Sequence, residues 1–458
     1  MHRGGANEEK HISANGLSRS TALIFAAAAG LSVANVYYAQ PLLDAIAGDF
    51  GIAPAAIGLV VTLTQIGYAL GLFFIVPLGD LLDRRRLVVA QGLLSAFALV
   101  AVATARTEGV LFAGMAAIGL LAVVAQVLVA FAATLAASSE RGRAVGLVTS
   151  GIVIGILAAR FVAGVLADLG GWRAVYLVSA GLTLAMTCLL IRILPRSRSP
   201  EQTDGYFATL RSIPVLFLRE PLLLIRGVLA LFLFAAFSTF WTALVLPLSA
   251  PPFSFSHSEI GLFGLVGLAG AAAASRAGRL ADRGLGQWTT GLSLVLLIAS
   301  WGLIALLPVS IAALVIGVVL LDLAVQAIHV TNQSIIFARH PEARSRLVGG
   351  YMVFYSIGSA MGATASTMAY AHAGWIGVSM LGVAFSSAAL LVWVGTRRRS
   401  LSSPSQSSAV SLLRMAQRVR QASNMAHSHR AAKSGIRPPY DPFRPSERDD
   451  QDQSGQLL

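Results

Sequence analysis

Apolar stretches long enough to cross a bilayer dominate this chain and recur, with polar breaks, from residue 20 to residue 396. A helical crossing takes about 20 predominantly apolar residues. The stretches that meet this length are 20–43, 55–78, 87–105, 109–134, 144–167, 174–194, 224–248, 259–277, 288–307, 310–337, 347–370 and 375–396. In lipid a backbone must satisfy its own hydrogen bonds, so each stretch reads as a helix. Composition points the same way: 56% of the residues are hydrophobic and 12% are charged, against about 25% charged in a soluble domain. The reading is an all-α polytopic membrane protein with twelve transmembrane helices.

The net charge of +13 does not indicate nucleic acid, because the basic residues lie between apolar runs and in the C-terminal region, with no basic block interleaved with aromatics. The expected surroundings are the lipid bilayer. A single cysteine, Cys188, excludes an intrachain disulfide and a thiolate metal cluster. There is no P-loop and no HExxH, so neither a cofactor nor a metal is expected, and ATP-driven transport is disfavoured. No catalytic constellation stands out: His329 and Ser334 share one helix without an acid beside them. The chain is not expected to be an enzyme.

Basic residues alternate in density along the chain. The segments that share a side with the N-terminus hold Arg84, Arg85 and Arg86, Arg141 and Arg143, a central group from Arg192 to Arg226, and two later groups ending at Arg283 and Arg346. The intervening loops hold only Arg106 and Arg173. This bias places both termini in the cytoplasm. The first eighteen residues are polar, and the run that follows is too long for a signal-peptide core.

The two halves repeat each other. "GDLLDRR" at 79–85 matches "GRLADRG" at 278–284, Gln126 matches Gln326, "RAVG" at 143–146 matches "RLVG" at 346–349, and "GW" at 171–172 matches "GW" at 374–375. The shift drifts only from 199 to 203 while the order is kept, which indicates two six-helix repeats of the same orientation. The expected organisation is an N-terminal tail (1–19), a six-helix bundle (20–194), a polar central loop (195–223), a second bundle (224–396) and a basic tail (397–458). In that tail, "SAVSLLRMAQRVRQA" has the make-up of a surface amphipathic helix, and the Pro-rich remainder has the composition of a disordered segment.

Twelve helices in two parallel repeats, with G-x-x-x-D-R between the second and third spans and an echo between the eighth and ninth, resemble the major facilitator superfamily. "ANVYYAQPLL" in the first span and the "AARFVAGV…GWR" pattern of the fifth resemble bacterial inner-membrane efflux permeases. The resemblance implies a secondary transporter in the bacterial inner membrane, working by rocking-bundle alternating access, with a small-molecule substrate and protons as partners and a monomeric state. It also implies a conformational latch of Gly79, Asp83, Arg84, Gly278, Asp282 and Arg283. In such a latch Asp83 meets the start of the eleventh span and Asp282 the start of the fifth, where a helix N-terminus favours a carboxylate. Gly79 and Gly278 would let a neighbouring helix approach closely. A solvated loop that only enforces orientation is the alternative. Gly151, Gly155, Gly358 and Gly362 add small-residue faces for close helix packing.

Polar residues within the spans mark the expected substrate and proton pathway. Asn35 and Tyr38 lie three apart on the first span. Gln126 lies on the fourth. Asp322, Gln326 and His329 form a stripe on the tenth, with Asn332 close by. Arg160 stands alone: the ten residues before it and the seven after it carry no charge, and an arginine at membrane depth costs at least about 2.5–3.5 kcal/mol. It lies roughly 24 Å along its helix from the cytoplasmic end and 12 Å from the other, at 1.5 Å per residue. Its side chain therefore either snorkels outward or faces a central site. Neither Arg160 nor Asp322 has a charged counterpart in the other repeat, where Ala363 and Ala122 stand. An unmatched cation in one half and an unmatched anion in the other suggest a shared site. The expected function is proton-coupled export of a small organic solute, with Asp322 as the preferred candidate for the proton carrier and His329 as the next candidate. The alternatives are import of an anionic nutrient at Arg160, or a transport-inactive receptor or sensor.

Overall fold

The computed structural model describes residues 18–137, 140–195, 205–271, 280–339 and 344–401. The expectations for the N-terminal tail to residue 17, for Gly278, and for the C-terminal segment beyond residue 401 fall outside these residues, as does the Asp282 side chain. The described residues up to Arg397 belong to one unit, and a second unit begins at Arg398.

The described residues contain helices and turns and no strand. In chain order the helices are α1 (Arg19–Tyr37), α2 (Leu43–Phe50), α3 (Leu59–Phe74), α4 (Arg84–Ala103), α5 (Glu108–Leu121), α6 (Val124–Leu135) and α7 (Arg141–Ile193). They continue with α8 (Tyr206–Arg219), α9 (Pro221–Ala243), α10 (Val245–Ser249), α11 (His257–Ala271), α12 (Gly286–Ile304), α13 (Ile311–Arg339) and α14 (Arg344–Leu401). Local signals set their starts. Ser18 accepts the Thr21 N–H at 3.1 Å, Thr107 accepts that of Val110 at 3.4 Å, and Pro221 opens α9 at a position where no N–H is needed.

Nine helical segments among the described residues are long and apolar enough to cross a membrane. Two of them, of 53 and 51 residues, are twice the length one crossing needs. The spans expected at 144–167 and 174–194 fall in the first, and those at 347–370 and 375–396 in the second. Each is broken at a glycine with left-handed φ, Gly171 at 76° and Gly374 at 58°, a conformation that other residues adopt at a cost. A tryptophan follows each break. The Trp172 indole donates to Asp49 at 2.9 Å, and that of Trp375 donates to the Ile304 carbonyl at 2.8 Å. The repeat seen in sequence thus reappears as two equivalent broken helices, 203 residues apart. The span expected at 259–277 begins with α11 and leaves the described residues after Ala271.

The outer faces of the helices carry large exposed apolar side chains, among them Phe97, Leu292 and Leu391, each more than 70% exposed. Such a surface suits lipid rather than water. Inside, backbones touch. A Cβ on Gly151 would overlap the Ala26 carbonyl, and one on Gly155 would overlap Gly30. In the second half Gly358 meets Leu231 and Gly362 meets Ala235 in the same way. So α7 lies on α1 as α14 lies on α9.

The central segment, read from sequence as a polar loop, contains α8. Leu210 and Phe217, two turns apart on one face, are buried, which is the pattern of an amphipathic helix. Polar flanks and Pro214 hide that pattern in the sequence. The Tyr206 hydroxyl donates to the Phe74 carbonyl at 2.8 Å, and the Phe217 ring lies 5.7 Å from that of Phe354.

The halves meet at the end of the molecule remote from the Gly79–Arg86 loop. Thr62 donates to the Ala360 carbonyl at 3.0 Å and Thr367 to the Ala55 carbonyl at 3.1 Å, which joins α3 and the turn before it to α14. A Cβ on Gly164 would overlap the His257 carbonyl, which brings α7 against α11. This is the closed end.

Candidate functional site

Arg160 does not snorkel. It is 2% exposed and turns inward from α7. Its Nε donates to Gln40 Oε1 at 2.8 Å. Its guanidinium carbon lies 4.0 Å from the Trp241 ring centroid, 5.2 Å from that of Tyr37 and 5.9 Å from that of Phe237. A desolvated cation–π contact contributes up to about 2 kcal/mol, and a hydrogen bond to a charged group about 1.5–3 kcal/mol. Together these offset the cost of placing the cation at this depth. Nη2 is left without a partner, and no carboxylate of the described residues lies within ion-pair distance.

Asp322, on α13, is 3% exposed. It is near enough for Arg160 to act on it electrostatically, yet the two do not form an ion pair. The Trp241 indole faces the carboxylate without reaching hydrogen-bond geometry, and Oδ2 has no partner. Three glycines of α11 make room for both charges. Cβ atoms on Gly261 and Gly264 would press on the backbone and Cβ of Arg160, and one on Gly267 would displace the Asp322 carboxylate. These glycines, spaced by three, lay unremarked in the sequence, although the spacing itself was legible.

A polar and aromatic path leads away from this pair. The Tyr37 and Tyr355 hydroxyls are hydrogen-bonded across the two halves. The Phe234 ring lies between those of Tyr355 and His329, with centroids 4.1 and 5.2 Å away. His329 Nδ1 is 3.1 Å from the Tyr351 hydroxyl. Asn332 Nδ2 reaches the same hydroxyl at 3.5 Å, and its Oδ1 accepts from Arg226 at 3.0 Å. Arg226 counted in the sequence among the orienting charges, at the start of the seventh span. It is in fact 1% exposed, because α9 begins at Pro221 and carries the residue into the helix.

The remaining residues fall elsewhere. Asn35 accepts from Ser179 at 2.5 Å, inside the first bundle and away from Arg160. Two residues further on, a helix has turned by about 200°, and it is Tyr37 that reaches the Arg160 group. Tyr38 is buried beside Ser179 as well. Gln126 donates to the Tyr68 hydroxyl at 3.5 Å. Gln326 is half-buried.

The loop after α3 is corrected in part. A Cβ on Gly79 would lie 3.7 Å from Leu87 and 3.8 Å from Val127, ordinary contact, so no helix approaches closely there. Asp83 caps its own helix, accepting the Arg85 N–H at 2.8 Å. Arg84 donates to the Gly79 carbonyl at 2.8 Å and to Thr134 at 2.5 Å. Arg283 is exposed, beside Gly284 at φ 81°.

Buried helices meeting at a charged central site define a membrane transporter, and comparison with known proteins gives the family. The Major Facilitator Superfamily profile matches residues 25–311 and 228–437. The chain is 46% identical over 377 residues to the uncharacterized transporter YgaY of Escherichia coli O157:H7, covering 82% of this chain and 95% of that one. It is 33% identical over 377 residues to the transporter SCO4007 of Streptomyces coelicolor, covering 82% and 86%. In fold it is similar to a bacterial homologue of the human lysosomal transporter Spinster, solved inward-facing and unoccupied. The TM-score is 0.67, with 15% identity and coverage of 86% of this chain and 98% of that one. The chain belongs to the major facilitator superfamily. It is a multi-pass membrane protein and a secondary transporter.

Proposed function

We propose that this transporter carries out proton-coupled export of a small organic solute bearing an acidic group across the bacterial inner membrane. Both termini are cytoplasmic, the protein works as a monomer, and the closed end faces outward. The observation that carries the reading is the state of Arg160: a buried cation with an unpartnered Nη2 among three aromatic rings, lacking an ion pair with the acid nearby. Arginine keeps its charge in such a site and offers a planar fork to a carboxylate. The aromatic faces suit an organic body.

Asp322 supplies the coupling. A cation beside a carboxylate favours its ionised form, and withdrawal of that cation favours the protonated form. When substrate engages Arg160, the arginine is less available to Asp322, which then takes a proton. When substrate leaves, Asp322 releases it. In this conformation the carboxylate of Asp83 is occupied with its own helix, which fits a latch that engages only when the opposite end closes.

The test uses three probes of one shape and different charge: benzoate, benzamide and benzylamine. Benzoate alone should raise the melting temperature of the purified protein, and Arg160→Ala should abolish the shift. Cells overproducing the protein should accumulate less labelled benzoate, and Asp322→Asn should remove that effect. Stabilisation by benzylamine instead, or a benzoate shift that survives Arg160→Ala, would overturn the reading.

A further inference from the structure

The closed end carries a charged cluster that the transport reading leaves unused. His257 opens α11. Its backbone N–H donates to Asp168 Oδ1 at 3.1 Å, and that of Ser258 donates to Oδ2 at 2.9 Å. Asp168, on α7, thus caps the N-terminus of a helix from the other half, where a carboxylate is favoured. The imidazole sits between two carboxylates. Nδ1 lies 3.3 Å from Asp168 Oδ1, and Nε2 lies 3.1 Å from Asp44 Oδ1, in the first turn of α2.

Ionised carboxylates only accept hydrogen bonds, so an imidazole that satisfies both needs two N–H donors. A neutral ring has one. Its other nitrogen would turn a lone pair toward a carboxylate oxygen. The geometry therefore calls for the imidazolium.

We propose that His257, held between Asp44 and Asp168, is a proton-binding site that locks the closed end of the transporter. The imidazolium ties α11 to α2 and α7. Loss of its proton leaves one carboxylate facing a lone pair and frees α11 on that side.

Among the described residues, the charged groups facing His257 are these two carboxylates. On its own helix, Glu259 accepts from the Ser256 N–H at 2.8 Å and the Ser256 hydroxyl at 3.0 Å. The turn Gln40–Leu42 and α10, which also pack on α11, carry no charged residue, and Asp322 of α13, which packs on α11 too, lies against Gly267, further along that helix. Arg160, on α7, directs its guanidinium to Trp241. The hydrogen bond to Asp44 raises the His257 pKa above its ordinary 6.5, with help from Asp168 and against the effect of burial. Opening the end removes both carboxylates and returns the pKa toward that value. The lock is therefore fully present below about pH 6.5 and is lost as pH rises through the raised value.

Distance measurement between spin labels tests this on the full chain in nanodiscs. In a Cys188→Ser background, labels at Ala53→Cys and Ala373→Cys report the closed end from exposed positions on opposite halves. Between pH 5.5 and 9 the closed-to-open ratio should fall about tenfold for each unit by which the clamp raises the pKa. His257→Gln should change that ratio by less than about twofold over the range, relative to the same scale. Asp44→Asn leaves the Asp168 cap in place and should move the midpoint down toward the ordinary histidine value. A parent without pH response, a His257→Gln response equal to that of the parent, or an unmoved midpoint in Asp44→Asn would overturn the proposal. The readout is conformational and needs no substrate, so it stands or falls apart from the transport reading.

Discussion

Arg160 and Asp322 show how a single charge in an apolar run can be read, and how far. Both were legible because a charge at membrane depth requires a compensating environment. The sequence did not reveal that compensation comes from Gln40 and three rings rather than from Asp322 directly. Nor did it separate the two faces of α1. Asn35 and Tyr38 carry the more conspicuous polar pair, yet Tyr37 and Gln40, equally three apart, are the ones that face the arginine. Burial of one face against Ser179 decides the matter, and only packing reveals it. Since Asp322 and Arg160 act on each other electrostatically without bonding, removing one charge strands the other. Arg160→Ala and Asp322→Asn should each lower the melting temperature, and the double variant should be more stable than either. Each single variant should lose at least about tenfold in proton-coupled flux, equivalent to 1.4 kcal/mol. Single variants as stable as the parent, with additive effects, would show that the charges are independent.

Among the elements, α11 does most to shape the site. Gly261, Gly264 and Gly267 lie on one face, and α7 and α13 approach across it to bring Arg160 and Asp322 together. The apolar content of this span was plain in the sequence, but glycine in a membrane helix has several uses, and spacing alone does not say which neighbour it admits. Gly267→Ala puts a methyl group where the Asp322 carboxylate lies. That carboxylate ends a flexible side chain, so the fold should survive while the acid moves. The expected result is a melting temperature within a few degrees of the parent and a displaced pH profile of transport. An unchanged profile would show that the position of Asp322 does not set the coupling. The helix α8 went unread for the opposite reason, since its amphipathic face is short and interrupted by proline.

At the scale of the whole molecule, the all-helical membrane fold and the repeat were readable because lipid imposes length and the chain carries two copies of several markers. The conformation was not readable, because both states of an alternating transporter share one sequence. Closed contacts through Thr62, Thr367 and His257 gather at one end, while Asp83 at the other end caps its own helix. Asparagine caps nearly as well as aspartate, so Asp83→Asn should leave the melting temperature almost unchanged. If the carboxylate also serves as a latch in the opposite state, the variant should shift the spin-label distances further toward the closed form shown here. Unchanged distances would confine Asp83 to capping.

The helix α8 has a mechanical consequence. It is a rod about 21 Å long, from 14 residues at 1.5 Å each. One end is hydrogen-bonded to α3 through Tyr206 and Phe74, and the other rests on α14 through Phe217 and Phe354. A helix pinned at both ends ties its anchors together. On the proposed rocking cycle the gap between them changes, and one pin must give way: a hydrogen bond at one end or a ring contact at the other. In that cycle the linker between the halves acts as a stay on the stroke, and Tyr206→Phe, which removes the polar pin, should widen the distance change read between spin labels on the two halves.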